Sequence, residues 1–321
     1  MFRSILGAAC SAALIVLATI GCTGTQPASQ AAVSQPPSSA PEIGPSNAPS
    51  IEPSAAPTAV PTPTPDPAVP MHADFDPTRF SDGANIDNAW MPLQPGRRWI
   101  IEGVTIEEDE RIPHRSSLTV TSLSKVIAGV DTAVVWAEDI SDGVVVEKEI
   151  AFYAQDDDGT VWYLGEHTEE FEDGEFVLAQ TWIHGSEDAR AGVKMLADPM
   201  THTQALFQGW APAVEWSDYS RLDEAQPEDC VIGGCYKDVV RFVESSLGEE
   251  GIFQLKSYAR GVGEIRVGWR GDSDSRDELE LKSAATLSSS ALARYDELAR
   301  DLEAHAYQIS PQVYGQTERS Q

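Results

Sequence analysis

Hydrophobic and polar residues alternate in short runs over most of the chain between residues 98 and 284. Alternation with a period of two is typical of β-strands whose two faces meet different surroundings. Turn-forming sequences such as Ser141-Asp142-Gly143 separate neighbouring runs and favour hairpins. The predicted strands span residues 98–106, 117–127, 131–140, 144–155, 160–165, 175–182, 237–245, 251–259, 263–269 and 277–284.

About ten antiparallel strands joined by short loops indicate a mainly β fold. A sheet this wide tends to curl, so the expected architecture is a single large antiparallel curved sheet, a half-barrel or barrel-like meander. We predict that this β-rich globular domain covers residues 71–286, a length that buries a sizeable core.

A helical period follows this domain. Apolar side chains recur at intervals of three and four residues after Ser290, a suitable N-cap. They are Leu292, Tyr295, Leu298 and Leu302. We predict a C-terminal amphipathic helix over residues 287–308 that packs on the sheet, with docking to a partner as the alternative. The polar residues 309–321 are expected to form a disordered tail.

A longer apolar run lies at the amino terminus, where Arg3 precedes residues 5–20 and the run stops at Gly21-Cys22. The run is shorter than the roughly twenty residues of a bilayer span. Residues 1–21 are therefore predicted to be a lipoprotein signal peptide, and Cys22 a lipid anchor carrying a diacylglyceryl group and palmitate. Because Thr19 stands where an aliphatic residue is usual, a conventional signal peptide or an uncleaved helix remains an alternative.

Residues 22–70 consist almost wholly of Pro, Ser, Ala, Thr and Gln and contain no aromatic residue. Such a segment lacks the apolar surface that would offset its ordering entropy, so we predict a disordered tether. The tether and the anchor together place the domain on the extracytoplasmic face of a cell membrane.

The chain is strongly acidic, with 51 Asp and Glu against 22 Lys and Arg and a formal net charge of −29. A field of this sign repels phosphates and attracts cations, so nucleic acid is not expected as a partner. The alternative is that the acidity only supports solubility.

Three phrases carry a resemblance to a known group of proteins. They are PLQPG at residues 92–96, YAQDDDGTVWYLGE at 153–166 and YARGVGE at 258–264. The chain resembles a group of uncharacterised bacterial secreted proteins and lipoproteins that share PLxPG, YAQDxxGxVWYxGE and YAxGVGE-type phrases. The resemblance implies a mainly β domain and brings no activity or catalytic residue with it.

Two cysteines lie in the predicted domain, Cys230 and Cys235, and four residues separate them. Thiols oxidise outside the cytoplasm, so a disulfide is expected. Two cysteines supply only half of a tetrahedral zinc site.

Acidic turns are the candidate metal sites, although no metal or other cofactor is predicted. Asp156, Asp158 and Glu166 are the candidate Ca²⁺ ligands, and the acidic stretch 169–173 is a second set. A softer set for copper is Met195, Met200, His184 and His202. The alternative for each set is a solvated turn or an ordinary core position.

The sequence contains no recognised catalytic motif, and the chain is not expected to be an enzyme. The most favoured function is a non-catalytic ligand-binding or envelope-associated β domain. Its ligand, an apolar molecule or an envelope polymer, would enter the concave side of the sheet. A secreted carboxylate-dependent hydrolase, for instance with Glu147 and Glu149, and a structural envelope protein are the alternatives.

Overall fold

The computed structural model describes residues 68–249 and 251–321. The predicted signal peptide, Cys22 and all but the last three residues of the predicted tether lie outside the described residues. The described strands are β1 (Arg97–Glu107), β2 (Glu110–Ile127), β3 (Val130–Ser141), β4 (Val144–Gln155), β5 (Val161–Glu172), β6 (Glu175–Ile183), β7 (Arg190–Met195), β8 (Leu206–Phe207), β9 (Gly209–Trp210), β10 (Asp218–Val231), β11 (Gly234–Ser246), β12 (Phe253–Ala259), β13 (Gly263–Arg270) and β14 (Ser275–Thr286).

These strands form one antiparallel sheet in the order β8-β10-β11-β12-β13-β14-β1-β2-β3-β4-β5-β7-β9. The two ends of this order are joined by the chain itself, because only Gln208 separates β8 from β9. Phe207 pairs with Tyr219 of β10, and Gly209 pairs with Ala191 of β7. The sheet is therefore nearly closed and barrel-like, which confirms the predicted mainly β fold. We call the segment 206–210 the seam.

The strand β6 lies off this path and pairs with β5 alone among the described strands. The first residues of β5 pair with β7, whereas β5 pairs with β6 from Gly165 onward. The wall built by β5 and β6 therefore extends past β7 toward one end of the barrel.

The two ends of the barrel differ in chemistry. One end is filled by apolar side chains, and the segment before β1 closes it with Ile86, Trp90, Met91 and Leu93, all buried. The other end is where β1, β3, β5 and β11 finish and their neighbours β2, β4, β12 and β14 begin. We call this end the mouth, and polar side chains line it.

A helix covers part of the outer face of the sheet, as the sequence predicted. It is α1 (Ser289–Ile309), and its N-cap is Ser288 rather than Ser290. Ala299, Leu302 and Ala306 of α1 pack against an outer apolar cluster that includes Trp136 and Phe152.

The prediction of a disordered tail after residue 308 is wrong. A short helix, α2 (Pro311–Tyr314), follows α1, and its Val313 and Tyr314 are buried in the outer cluster. Gln321 then exchanges two backbone hydrogen bonds with Ser124 of β2, with N···O distances of 2.9 and 3.2 Å. Two buried apolar residues and a strand-like pairing offset the ordering entropy of an otherwise polar segment.

Candidate functional site

A β-bulge in β5 brings together side chains that a period of two would separate. Gly165 has φ +156°, and a Cβ there would lie 2.6 Å from the carbonyl oxygen of Trp182, so only glycine fits. The register of the β4–β5 pairing shifts at this point. Tyr163 pairs with Tyr153 of β4, and Glu166 pairs with Ala151. Two residues three apart in sequence therefore both point into the barrel.

Five carboxyl groups lie on the inner face of β3, β4 and β5 near the mouth. Asp139, Glu147 and Glu170 pair directly across the three strands, and Glu149 and Glu166 lie deeper. We call these five residues the acidic wall. Glu147 and Glu170 are half-buried, whereas Glu149 is 2% exposed and Glu166 is 5% exposed. The wall thus runs from solvent into the barrel.

Tyr163 joins the two deepest members of the wall. Its hydroxyl contacts Glu166 and lies 3.5 Å from Oε1 of Glu149. Burial and the surrounding carboxylates raise the pKa values of Glu147 and Glu149 well above the usual range. Burial and the same carboxylates raise the pKa of the Tyr163 hydroxyl, so it stays protonated and donates.

The seam side of the barrel carries a different, charge-balanced cluster. Nζ of Lys256 lies 2.7 Å from Oε2 of Glu244, and Nζ of Lys194 lies 3.2 Å from Oε1 of the same carboxylate. Gln208 of the seam bridges Lys194 and Glu244 at 2.6 and 2.7 Å. We call these four residues the lysine network. Although burial opposes it, the two ammonium groups hold the pKa of Glu244 far below its usual value.

A buried histidine completes the polar lining. His114 lies between two aspartates, with Nδ1 3.2 Å from Oδ1 of Asp277 and Nε2 3.4 Å from Oδ2 of Asp139. The Thr105 hydroxyl donates to the same Asp277 oxygen at 2.7 Å. Burial lowers the pKa of His114, but the two carboxylates outweigh it and raise the pKa to about 10. His114 is therefore an imidazolium at neutral pH.

Several buried polar atoms on the inner face have no hydrogen-bond partner among the described residues. They are Oγ of Ser116, Oδ1 of Asp139, Nε1 of Trp182 and Oγ of Ser220. Native proteins pair nearly all buried polar groups, through protein atoms or ordered water. A concentration of such atoms along one surface is typical of an interior that holds water or a ligand.

Aromatic rings adjoin the deep end of the acidic wall. Tyr153 and Tyr163 stack with ring centroids 4.6 Å apart, and Trp182 stacks on Trp216 at 4.8 Å. Trp162 faces the opposite way and packs in the outer cluster, so β5 is covered on both faces. Two-sided burial thus accounts for the aromatic run at residues 161–163.

The structure does not bring together the predicted Ca²⁺ ligands. Asp156 accepts hydrogen bonds from Thr160 N and from Trp162 Nε1, and it also pairs with Arg79 at 3.2 Å. Asp158 pairs with the same guanidinium, whereas Glu166 faces the barrel interior. In the acidic stretch 169–173, Glu169 lies against α1 through His305, at 2.5 Å, and Glu170 faces the interior. Arg79 and the turn itself use the oxygens that a cation would need.

The other predicted metal set is also dispersed. Met195 is buried in the core, Met200 is 52% exposed, and His184 packs on Phe75 of the outer cluster. His202 packs on Phe242. Among the described residues, the groups of three or more His, Cys, Asp or Glu with ligand atoms within 4.8 Å of one another are limited to Glu228 with Cys230 and Cys235.

Cys230 and Cys235 form a disulfide. They pair directly across the hairpin of β10 and β11, with a Cα–Cα distance of 4.0 Å. Their sulfur atoms are therefore not free to bind a metal beside Glu228. The hairpin tip that they close lies far along β11 from Glu244 at the mouth, so the disulfide is not part of the charged lining.

Comparisons with known proteins give two structures of low similarity. One is a Bacteroides fragilis protein described as exported and as having a YmcC-like fold, with a TM-score of 0.35 and 9% identity. The other is described as a Parabacteroides distasonis lipoprotein, with a TM-score of 0.31 and 10% identity. In each case the matched region covers 62% of this chain and 100% of the other chain. Because both scores are low, function is argued below from the residues of this chain alone.

No protein-family model matches the sequence, and no curated protein matches it either. Within the described part of the chain, no helix has the length and apolar character needed to cross a membrane.

Proposed function

We propose that this chain is an exported lipoprotein that binds a small ligand on the inner surface of its barrel, at the mouth. The observation that carries the proposal is the buried, charged lining with unpartnered polar atoms such as Oγ of Ser116 and Oδ1 of Asp139. A barrel that served only as a scaffold would be more stable with an apolar filling, because buried charges cost desolvation energy.

The charged lining also refines the ligand expected from the sequence. The apolar end of the barrel is closed by its own side chains, including Trp90 and Leu93. The polar end therefore supplies the binding surface, and a wholly apolar ligand would offer no hydrogen-bond partner to buried atoms such as Oδ1 of Asp139 and Oγ of Ser116. The location of the protein is proposed from the signal at residues 1–21, Cys22 and the tether.

Native mass spectrometry of the full chain, isolated from the cells that produce it, tests the binding function. We expect one bound non-protein molecule per chain, which we call the companion, and we expect denaturation to release it. Ala151 lies on the inner face between Glu149 and Tyr153, so Ala151→Phe should fill the site and abolish the companion. Val177→Phe, at an exposed position of β6, is the matched control and should retain it.

Two outcomes would overturn the binding function. One is a companion that Ala151→Phe retains in full, because the ligand would then lie outside the barrel. The other is a full chain that carries no companion and binds none of three probes that share a six-carbon chain, which are hexyltrimethylammonium, 1-hexanol and hexanoate.

A carboxylate-dependent hydrolase is the second candidate, and one observation favours it. Glu149, whose pKa is raised by burial and by Glu166, contacts the same Tyr163 hydroxyl as Glu166. A protonated acid beside a second carboxyl group is the arrangement that glycoside hydrolysis uses. A binding protein returns the released companion chemically unchanged after incubation, whereas a hydrolase cleaves it and loses this activity in Glu149→Gln.

A further inference from the structure

We propose that the ligand carries a positively charged organic group, an ammonium, and that the acidic wall binds it. This inference rests on the proposed binding function and names the chemistry of its site. It is carried by the arrangement of the wall, by the unpartnered atoms of Asp139 and Ser116, and by the aromatic rings beside them.

The wall places like charges where a stable sheet avoids them. Asp139, Glu147 and Glu170 stand directly opposite one another across β3, β4 and β5. Like charges in directly opposed positions destabilise a sheet. None of the ion pairs between described residues includes Glu147 or Glu149, because the buried cations His114, Lys194 and Lys256 pair with other carboxylates. A bound cation would relieve this repulsion.

A second observation indicates that a ligand completes the site. Oδ1 of Asp139 is buried and has no hydrogen-bond partner in the described part of the chain, and the residue is 6% exposed. Ser116 pairs with Asp139 across the strands, is fully buried, and has an unpartnered hydroxyl. Both atoms lie on the inner face beside Glu147. They supply acceptors for a charged donor group or for the water around it.

The aromatic rings favour an organic cation over a metal ion. Tyr153, Tyr163 and Trp182 pack together just inside the carboxyl groups, and their apolar surface suits the carbon chain of an organic ammonium. A metal ion would instead require several ligand atoms close together. No three carboxylate oxygens of the wall lie within 4.8 Å of one another, since the described residues hold such a group only at Glu228 and the disulfide.

The wall also offers a route from solvent. Glu147 and Glu170 are half-buried at the mouth, Glu149 and Thr168 form the next pair, and Ala151 and Glu166 the pair after that. An ammonium group that enters at the mouth therefore meets carboxyl groups at each step, while its carbon chain reaches the rings of Tyr153 and Tyr163. The acidic surface of the whole chain attracts the same class of ligand.

Isothermal titration calorimetry of the full chain with the three hexyl-chain probes tests this charge assignment. We expect hexyltrimethylammonium to bind at least about tenfold more tightly than 1-hexanol or hexanoate. Binding should release protons, seen as a heat that varies with the buffer, because the wall carboxyls with raised pKa values ionise beside the cation. The double variant Glu147→Gln/Glu149→Gln should weaken ammonium binding about tenfold or more and suppress the proton release.

A matched control removes two carboxylates at the same end of the molecule. Glu172→Gln/Glu175→Gln removes the same number of carboxyl groups, at an exposed hairpin tip where the two residues face each other. This variant should bind the ammonium probe as the wild type does. A thermal melt of the Glu147/Glu149 double variant should show an equal or higher midpoint, which excludes misfolding as the cause of its weaker binding.

The remaining outcomes separate the two proposals. If hexanol or hexanoate binds as well as the ammonium probe, or if Glu147→Gln/Glu149→Gln binds it unchanged, the charge assignment is overturned and the binding function stands. If no probe binds and no companion is found, the binding function itself is overturned, and the charge assignment with it.

Discussion

At the scale of single residues, the lining of the barrel divides into charges that are matched and charges that are not. Glu244 has two ammonium groups within 3.2 Å, and His114 has an aspartate on each side. Glu147 and Glu149 have carboxyl neighbours instead, and their pKa values rise as a result of burial and that repulsion. The first group therefore stabilises the fold, and the second group is where we propose that the ligand binds.

His114 should be a strong determinant of stability. His114→Gln leaves the buried carboxylates of Asp139 and Asp277 without their cation, so we expect a loss of about 3 kcal/mol at neutral pH. The pKa of His114 is raised by folding, from 6.5 to about 10. Its contribution is therefore complete below the unfolded value and is lost as the pH rises through the folded value.

Urea unfolding at a series of pH values measures this effect. The difference between wild type and His114→Gln should shrink steadily from neutral pH to about pH 10. His72→Gln, which changes an exposed histidine, should run parallel to the wild type over the same range. A gap for His114→Gln that stays constant across this range would contradict the assigned charge.

At the scale of elements, α1 is attached to the sheet by a buried ion pair as well as by apolar packing. Nζ of Lys125 in β2 lies 2.8 Å from Oε1 of Glu303 in α1, and both side chains are almost fully buried. Glu303 also accepts hydrogen bonds from the backbone N–H and hydroxyl of Ser320. One carboxylate thus joins the sheet, the helix and the chain end.

Removing one partner of this pair should cost more than removing both. Lys125→Met leaves Glu303 buried and unpaired, so we expect a loss of about 3 to 5 kcal/mol. The double variant Lys125→Met/Glu303→Met should recover a large part of that loss, because no charge then remains buried. A double-mutant cycle by urea unfolding gives the coupling energy.

The exposed Lys237→Met serves as the control for this cycle and should change the free energy of unfolding by no more than about 0.5 kcal/mol. Additive effects of the Lys125 and Glu303 substitutions would show that the pair does not hold the helix to the sheet.

The sequence predicted the strands that show alternation or stand between clear turn residues, and missed the strands that show neither. Strands β1 to β6 and β11 to β14 were predicted from alternation and turn residues, although the run in β6 is exposed at Val177. The acidic strand β10 was missed because polar residues occupy both of its faces. The two-residue strands β8 and β9 are too short to show a period, and β7 shows a continuous buried run.

The candidate site could be predicted only in part. Alternation correctly placed Glu147 and Glu149 on one face of β4. The bulge at Gly165 shifts Glu166 onto that face, which a strict period of two cannot anticipate. Partners such as Lys194 and Glu244 are 50 residues apart, and only the closed sheet brings them together.

At the scale of the whole molecule, the proposed anchor and tether decide where the barrel works. If Cys22 carries a diacylglyceryl lipid, the mature chain is held at a membrane surface. Cys22→Ser should then leave the amino terminus lipid-free and unprocessed, with the apolar residues 1–21 still attached. Mass spectrometry of the N-terminal peptide and fractionation of cells give the answer.

A conservative change nearby provides the comparison for the anchor. Thr23→Ser retains the cysteine and should leave the chain in the membrane fraction. An unmodified Cys22 in the wild-type chain, or a Cys22→Ser chain from which residues 1–21 are still removed, would refute the lipid anchor.

The pairing of β1 with β14 also affects folding during synthesis. Arg97 pairs with Thr286 and Glu107 with Ser275, so the second edge of β1 is covered by β14, the last of the described strands in chain order. Until that strand emerges, the growing chain exposes an unprotected row of backbone donors and acceptors. Until β14 is available, the nascent protein therefore depends on chaperones to prevent such strand edges from associating with one another.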